Sequence, residues 1–512
     1  MAILDLFRKT EKPPKRRVIR PPNHSRMFNS ATSSNLFSGF NGTSATADEE
    51  IYGSLQMMRN RARQVCQDNE LARKFLAMVK SNVVLNGIKF QARTRREDGS
   101  LDELDNSRLE RGWAIWGDNP DFCSMDGRNN FTDLCRQVME TIARDGEAFI
   151  RIMKPSEGNP FGFSLWVIEA DAFPIQLNKT LDADTAIVMA IEQDRFGRPL
   201  AYHQTLKTPG INSTYAQGKI QTERVPASEI IHLYIQDRPG QSRGIPWLNT
   251  AIKPLDMLQQ YQLSELTSSR ISSSAMGFFT SPTSDAYVGT GVDDDQNLIT
   301  EFEPGTFQQL PEGMDFKPFD PMHPTTAYKD FVKSIMRSVA SGLLVNYNSL
   351  SNDLESVNYS SIRAGQAEEK SQWKMLQDFF IKNFCGKVYK EWLRMAITSN
   401  WFAFDGQANL PMSKISKFEN VRWIPRGWPY VNPEQEIKAQ TLGVELGVET
   451  LTDIASASGK DWDEVVEQLA YEKEIIDRLG LKFPNQPLGQ PVSKNVTEVI
   501  DVDEEKQEEN GN

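Results

Sequence analysis

The residues that most often carry catalytic or metal chemistry are thinly spread in this 512-residue sequence. Its four histidines lie far apart, and none belongs to an H-E-x-x-H pattern. The four cysteines include no C-x-x-C pair, and scattered thiols fit folding in a reducing compartment. Zinc sites gather several such ligands at short spacings, so the sequence predicts no metal site of this kind. The residues concerned are His24, His203, His232, His323, Cys66, Cys123, Cys135 and Cys385.

Phosphate-binding and nucleophile motifs are also incomplete. The pairs Gly218-Lys219 and Gly459-Lys460 are not followed by the Ser or Thr that completes a phosphate-binding loop. Gly162-Phe163-Ser164 lacks the second glycine of a nucleophile elbow. Asp293-Asp294-Asp295 could hold a cation, although short acidic runs are more often solvated turns. We therefore predict that the chain is not an enzyme and uses no cofactor.

The charge balance bears on nucleic acid binding. The chain has 57 Lys and Arg against 69 Asp and Glu, a formal net charge of −12 at pH 7. Because phosphate neutralisation supplies most non-specific DNA affinity, this balance argues against a tight duplex binder. It is compatible with a protein past which DNA slides, or with no DNA partner. No run approaches the ~20 apolar residues of a membrane span, so no membrane association is expected.

Two segments in the middle of the chain are predicted to form long helices, residues 255–276 and 325–345. The first has a thin apolar stripe and a serine-rich end, whereas the second is strongly amphipathic. Each would span about 30 Å and together they flank residues 277–324, with short strands predicted around Phe278 and at 305–310. The thin stripe favours a helix packed beside copies of itself. A surface helix of a monomeric domain is the alternative.

The remaining chain is predicted to be mainly helical with a β-rich module, which makes an α+β fold. Predicted helices lie within 48–86 and at 103–116, 132–143, 362–398, 433–446, 451–456 and 462–479. Predicted strands lie at 88–94, 147–153, 164–169, 187–193, 199–205, 230–235, 401–404 and 421–424. Residues 347–361 are polar and turn-prone. The basic arm 1–49 and the acidic tail 481–512 are predicted to be disordered.

Several motifs point to one family. The pattern V-P-A-S-E-I-I-H-L at 225–233 is followed by R-P-G-Q-S-R-G-I-P-W-L at 238–248. Further motifs occur in order: R-A-R at 61–63, N-V-V at 82–84, R-D-G-E at 144–147, E-P-G at 303–305, N-Y-S-S at 358–361, R-A-G at 363–365 and N-P-E-Q-E at 432–436. This collinear set, from about residue 50 to 480, resembles the lambda-type portal protein family of tailed bacteriophages. Pro254 in the first long helix, and N-P-E-Q-E where the family usually has D-P-x-K-E, are departures that affect local helix geometry.

The resemblance implies a portal fold with named parts. These are a wing (50–246 and 362–430), a stem (247–276 and 325–346), a clip (277–324), a tunnel loop (347–361) and a helical crown (431–480). The family forms rings of about twelve subunits at one capsid vertex, which pass double-stranded DNA during packaging and ejection. The other implied partners are the terminase large subunit, the head–tail connector, and the major capsid and scaffolding proteins. The protein is expected in the virion, after assembly in the cytoplasm of the bacterial host.

The resemblance also implies functional positions. The docking site for the terminase and the connector would involve Gly277, Phe278, Phe279, Glu303, Pro304 and Gly305 of the clip. The loop near the DNA would comprise Asn348, Ser349, Leu350, Ser351, Asn352, Asp353, Leu354, Glu355, Ser356, Val357, Asn358 and Tyr359.

Three basic residues share one face of the second stem helix. Lys329, Lys333 and Arg337 are spaced four residues apart, one helical turn each. In a ring they would form spaced basic rings that centre the DNA. A solvated or salt-bridging face is the alternative.

Other functional classes fit the sequence less well. A different non-enzymatic virion component, such as a head–tail connector or a minor capsid protein, is the main alternative. It is usually shorter and lacks two stem helices around a clip. A packaging nuclease or ATPase conflicts with the missing phosphate loop and metal ligands.

Overall fold

The computed structural model describes residues 44–154, 158–205, 221–273, 277–280, 291–292, 298–299, 315–318, 328–355, 359–403, 407–428 and 433–479. The described residues form a mainly helical fold with small antiparallel sheets, which confirms the predicted α+β class. The basic arm up to residue 43 and the acidic tail lie outside the described residues.

The helices follow the predicted order closely. They are α1 (Ala47–Tyr52), α2 (Leu55–Asp68), α3 (Glu70–Val83), α4 (Glu103–Asp118), α5 (Pro120–Cys123), α6 (Phe131–Asp145), α7 (Ile252–Ser273), α8 (Tyr328–Gly342), α9 (Tyr347–Ser351), α10 (Tyr359–Phe380), α11 (Gly386–Thr398), α12 (Ile415–Phe418), α13 (Pro433–Glu445), α14 (Leu451–Ala457) and α15 (Trp462–Leu479).

The strands are short. They are β1 (Lys89–Ala92), β2 (Glu147–Met153), β3 (Ser164–Ile168), β4 (Lys179–Thr180), β5 (Thr185–Val188), β6 (Ile191–Asp194), β7 (Pro199–Thr205), β8 (Thr222–Pro226), β9 (Ile230–Tyr234), β10 (Gly277–Thr280), β11 (Gly291–Val292), β12 (Leu298–Ile299), β13 (Asp315–Pro318) and β14 (Val421–Ile424). One sheet has β2 between β3 and β9, and another runs in sequence order from β4 to β8. A third pairs β1 with β14.

Local signals explain where α6 begins and ends. The Asn130 side chain accepts a hydrogen bond from the Asp133 amide at 2.8 Å, which caps the first turn. Gly146 follows the helix with φ of 89°, the left-handed conformation that glycine adopts without strain. The next residue, Glu147, starts β2, so this glycine turns the chain directly from helix to strand.

The main core is aromatic and joins α3, α4, α6, α10 and α11. The Trp113 ring lies 4.9 Å from Trp116 and packs edge-on against Trp392 at 5.2 Å. Trp116 and Trp392 are fully buried, and aromatic pairs of this geometry add stability beyond their buried area. This core holds the elements that carry the candidate site.

The helix predicted at 362–398 is longer at its start and contains a π-helical turn. Residues Ile381–Cys385 form this turn between α10 and α11, with Phe384 and Cys385 fully buried. A π-turn inserts one extra residue per turn, which changes the face that the helix presents to the core. The 3.6-residue periodicity of the sequence gives no sign of it.

Two strand predictions are wrong. The predicted strand 187–193 is a hairpin, because Met189 and Ala190 both have positive φ (49° and 68°) and form the turn between β5 and β6. Both side chains are buried, so the turn lacks the polar residues that usually mark one. At 401–404, Trp401 lies in a turn that follows α11, with Phe404 outside the described residues. The Trp401 ring stacks on the Phe161 ring at 4.7 Å, so this aromatic residue packs against the core without belonging to a strand.

Candidate functional site

The two helices predicted as the stem pack against each other. Pro254 lies in the first turn of α7, where a missing backbone N–H costs little, and a separate 3-10 turn at Trp247–Thr250 precedes the helix. Tyr261 on α7 stacks on Tyr328 of α8 at 5.7 Å and meets Phe331 edge-on at 5.2 Å. An aromatic cluster therefore joins the helices near the start of α8.

Two short strands within the segment between these helices pair with each other. β10 and β13 are antiparallel, with Gly277 opposite Pro318 and Thr280 opposite Asp315. This pairing brings residues 277–280 beside residues 315–318 of the segment predicted as the clip. Gly277, Phe278 and Phe279 lie on β10, whereas Glu303, Pro304 and Gly305 lie outside the described residues, as do 305–310.

The segment predicted as the tunnel loop starts with a short helix. The Asn346 side chain accepts a hydrogen bond from the Asn348 amide at 2.9 Å and caps α9. Leu350 is buried and anchors the helix, and Asn352 ends it with φ of 57°. Ser356, Val357 and Asn358 lie outside the described residues. Tyr359, predicted as the last loop residue, is instead the first residue of α10.

A buried carboxylate on α10 anchors α9 from the other side. Ser349 donates a hydrogen bond to Oε2 of Glu369 at 2.7 Å, and the Trp373 indole donates to Oε1 at 3.3 Å. Glu369 is buried. A lone Glu within a charged helical stretch gives no sequence sign of burial, so Glu369 and Trp373 were not predicted as site residues.

The three basic residues on α8 meet the chain that leaves α9. Lys329 forms an ion pair with Glu355 at 2.6 Å, and Lys333 forms ion pairs with Asp353 at 2.9 Å and Glu355 at 3.2 Å. Arg337 lies over the ring of Tyr347, 5.4 Å from its centroid. The structure thus places these side chains against acidic and aromatic groups of their own chain.

These contacts shift the pKa values of the groups involved. Hydrogen bonds from Lys333 and then from Tyr347, whose hydroxyl lies 2.7 Å from Oδ2, lower the pKa of Asp353 to about 2. Hydrogen bonds from Lys329 and Lys333 lower the pKa of Glu355. Both carboxylates therefore stay charged near neutral pH and balance the charge of the two lysines.

Gly365 of α10 offers a test of the α9 cap. A Cβ added at Gly365 would overlap the side-chain nitrogen of Asn346, the residue that caps α9. Gly365→Ala is expected to displace this cap and to lower the free energy of unfolding by about 1 kcal/mol, even though alanine favours helix. Urea denaturation measures the loss. Gly117→Ala near the end of α4, where the new Cβ would meet only Phe131 at an ordinary 3.5 Å, is the control and should cost nothing.

Several motifs of the sequence meet at one buried carboxylate, that of Glu147. Arg243 donates to both of its oxygens, at 2.8 and 3.1 Å from Nε, and the Gly244 amide donates to Oε2 at 3.0 Å. His232 Nε2 lies 2.9 Å from Oε2, and Arg59 of α2 also contacts this carboxylate. The side chains of Glu147, Arg59, Arg243 and His232 are all buried, so the cluster joins α2, β2, β9 and the residues that lead into α7.

Burial and the neighbouring charged groups determine the protonation states of Glu147 and His232. Burial alone would raise the pKa of Glu147, but Arg243 and Arg59 hold it well below its ordinary value. Burial lowers the pKa of His232 more than the neighbouring Glu147 carboxylate raises it, and Arg243 and Arg59 lower it further. The cluster therefore holds an ionised carboxylate and a neutral imidazole near neutral pH.

Beside this cluster, the backbone at Gly244 lies in close contact with the backbone at Gly146. A Cβ added at Gly244 would overlap the carbonyl group of Gly146 and lie 2.8 Å from the Cβ of Tyr234. The neighbouring Asp145 receives hydrogen bonds from Arg63 and Arg144. The R-A-R, R-D-G-E and R-P-G-Q-S-R-G motifs thus form the joint that orients α7.

A family model covers this joint and the candidate site together. The model described as "Phage portal protein, lambda family" matches residues 33–377, about two thirds of the chain. The chain belongs to the lambda family of phage portal proteins. The match includes every motif named above except N-P-E-Q-E at 432–436, and it confirms the resemblance inferred from them.

Relatives extend the likeness over the whole chain. A probable portal protein of Halomonas phage phiHAP-1 is 29% identical over 508 residues, which cover 98% of this chain and 95% of that one. The portal protein of Escherichia phage N15 is 20% identical and covers 87% of this chain and 89% of its own. Among solved structures, a chain in the neck of an empty GTA particle aligns with a TM-score of 0.41 at 13% identity, covering 79% and 93%. By family, this portal protein is a structural component of a phage virion.

Within the part of the chain that the structure describes, no group of three or more His, Cys, Asp or Glu side chains is arranged to hold a metal ion. None of its helices combines the length and apolar character needed to cross a membrane.

Proposed function

We propose that about twelve copies of this chain form a ring at one capsid vertex, with α7 and α8 as the stem around a channel for double-stranded DNA. The segment 277–324 is the clip, on which the terminase large subunit docks during packaging and the head–tail connector afterwards. Major capsid and scaffolding proteins surround the ring. The chain performs no catalysis of its own and lets DNA pass in both directions.

The observation that carries this proposal is the exposed apolar face of α7. Leu263 is 65% exposed and Leu266 is 69% exposed, although both lie on a helix that packs against α8. Leu263 and Leu266 are three residues apart and so lie on neighbouring positions of one helix face, and burying each leucine against a partner would contribute about 1.5–3 kcal/mol. A second copy of the helix pair in a ring would cover them.

The charge of the chain favours a channel through which DNA slides over one that binds DNA tightly. Each chain carries a formal net charge of −12, and the lysines of α8 are balanced by acids of the same chain. A basic channel lining would bind phosphates through counterion release. A lining with balanced or negative charge lets a duplex slide.

The α7 face can be tested by substitution. Leu263→Asp with Leu266→Asp is expected to weaken subunit association at least ~100-fold per contact, because each leucine contributes about 1.5 kcal/mol or more. Mass photometry of the full-length protein should then show single chains in place of rings. The control is Phe196→Asp, which changes a 79% exposed aromatic residue in the β6–β7 turn and should leave the rings intact. Rings of unchanged mass in the double variant would show that Leu263 and Leu266 of α7 are not part of the interface between subunits.

A further inference from the structure

The chain that leaves α9 runs back along α8 in an ordered series of contacts. Arg337 meets Tyr347, Lys333 meets Asp353, and Lys329 meets Glu355. From the end of α8 towards its start, the contacting residues are Arg337, Lys333 and Lys329, and their partners come progressively later in the chain. Residues 352–355 therefore lie antiparallel to α8 and lead back towards its first turn.

The spacing of the two segments matches. Lys329 and Lys333 are one helical turn apart, about 6 Å along the axis. Asp353 and Glu355 are two residues apart in a non-helical segment, a separation of about 6.6 Å when extended. The side chain between them, Leu354, is 67% exposed. Both carboxylates can thus face the lysines while the residue between them points away.

Further bonds hold the carboxylates in this position. Oδ1 of Asp353 accepts a hydrogen bond from the Glu355 amide at 3.0 Å, and the Ser351 hydroxyl accepts one from the Asp353 amide at 3.2 Å. The Tyr347 hydroxyl donates to Oδ2. Lys74 of α3 contacts the side-chain oxygen of Asn352, where the segment turns away from α9. The segment is thus fixed at its turn and at both acids.

We propose that Lys329 and Lys333 form a latch that fastens residues 352–355 to α8, and that Asp353 and Glu355 occupy the positions on these lysines that DNA phosphates would otherwise take. This proposal deepens the proposed function, because it assigns the two lysines to loop retention and to lowering the affinity of the channel for DNA. Opening the latch frees the segment and exposes two cations per subunit.

Hydrogen exchange tests the retention of the segment. In the full-length protein, Lys329→Glu with Lys333→Glu is expected to speed amide exchange in residues 352–355 about two- to fivefold for each ion pair lost. Adding Glu355→Lys, which leaves the hydrogen bonds of Asp353 in place, restores opposite charges between position 355 and positions 329 and 333 and should return exchange part of the way to the wild-type rate. Unchanged exchange in the double variant, or no recovery in this triple variant, would overturn the latch. This measurement needs neither a ring nor DNA, so it stands or falls independently of the proposed channel.

Duplex binding tests the second half of the proposal. Asp353→Asn with Glu355→Gln uncovers both lysines and is expected to raise affinity for a labelled DNA duplex at least about tenfold at low salt, with a steeper dependence on salt concentration. Adding Lys329→Gln and Lys333→Gln should abolish the gain. Asp330→Asn with Glu368→Gln removes the same number of charges from exposed positions on α8 and α10 and should change affinity little. A gain equal to this control would mean that net charge alone matters, and would contradict phosphate mimicry.

Discussion

Replacing Glu147 by alanine is expected to lower the free energy of unfolding by about 3–5 kcal/mol, the usual cost of breaking a buried ion pair. The substitution leaves Arg59 and Arg243 without their common carboxylate, and the side chains of both are fully buried. It also removes the acceptor of the Gly244 amide. Urea denaturation followed by tryptophan fluorescence measures the loss.

Glu223→Ala is the matched control for this experiment. Glu223 on β8 pairs with Arg151 at 2.9 Å, but its side chain is 44% exposed. Exposed pairs contribute about 0–1 kcal/mol, so this variant should unfold close to the wild type. Equal losses in the two variants would show that the Glu147 cluster does not stabilise the joint more than a surface pair does.

Replacing Gly244 by alanine is expected to be at least as damaging. The new methyl group would overlap the Gly146 carbonyl group and approach the Cβ of Tyr234. Gly146 lies in the turn between α6 and β2, and Tyr234 is on β9, so the sheet and the core hold both in place. Because backbone must move, we expect a loss of about 3 kcal/mol or more, with little soluble protein. Soluble yield and the thermal unfolding midpoint are the measurements.

Gly240→Ala separates this clash from backbone strain. Gly240 belongs to the same motif and has φ of 80°, but a Cβ there would meet nothing within 4 Å. Its replacement should cost only the strain of the left-handed conformation, about 1 kcal/mol. If Gly244→Ala were no worse than Gly240→Ala, the close contact of the two glycines would not matter for stability.

Periodicity predicted most helices because their apolar faces pack on the core. Residues 462–479 match α15, and the segment predicted at 325–345 contains α8, Tyr328–Gly342. The hairpin at Met189 and Ala190 was missed because its turn is buried and apolar. Residues 347–351 looked irregular because they are polar, yet the Asn346 cap and buried Leu350 make them helical.

The chemistry of the site was harder to predict than its elements. The Glu147 cluster joins Arg59, His232 and Arg243, residues far apart in sequence that only tertiary folding brings together. Lys329 and Lys333 were identified from their helical spacing. Their carboxylate partners lie 20 to 26 residues later, after a turn whose direction no simple sequence pattern predicts.

Single-particle electron microscopy of the assembled full-length protein tests the central claim most directly. We expect a closed ring of about twelve copies, with α7 and α8 of successive copies side by side around a bore wide enough for a DNA duplex. A particle in which these two helices lie inside a single folded chain, away from any central opening, would contradict the account.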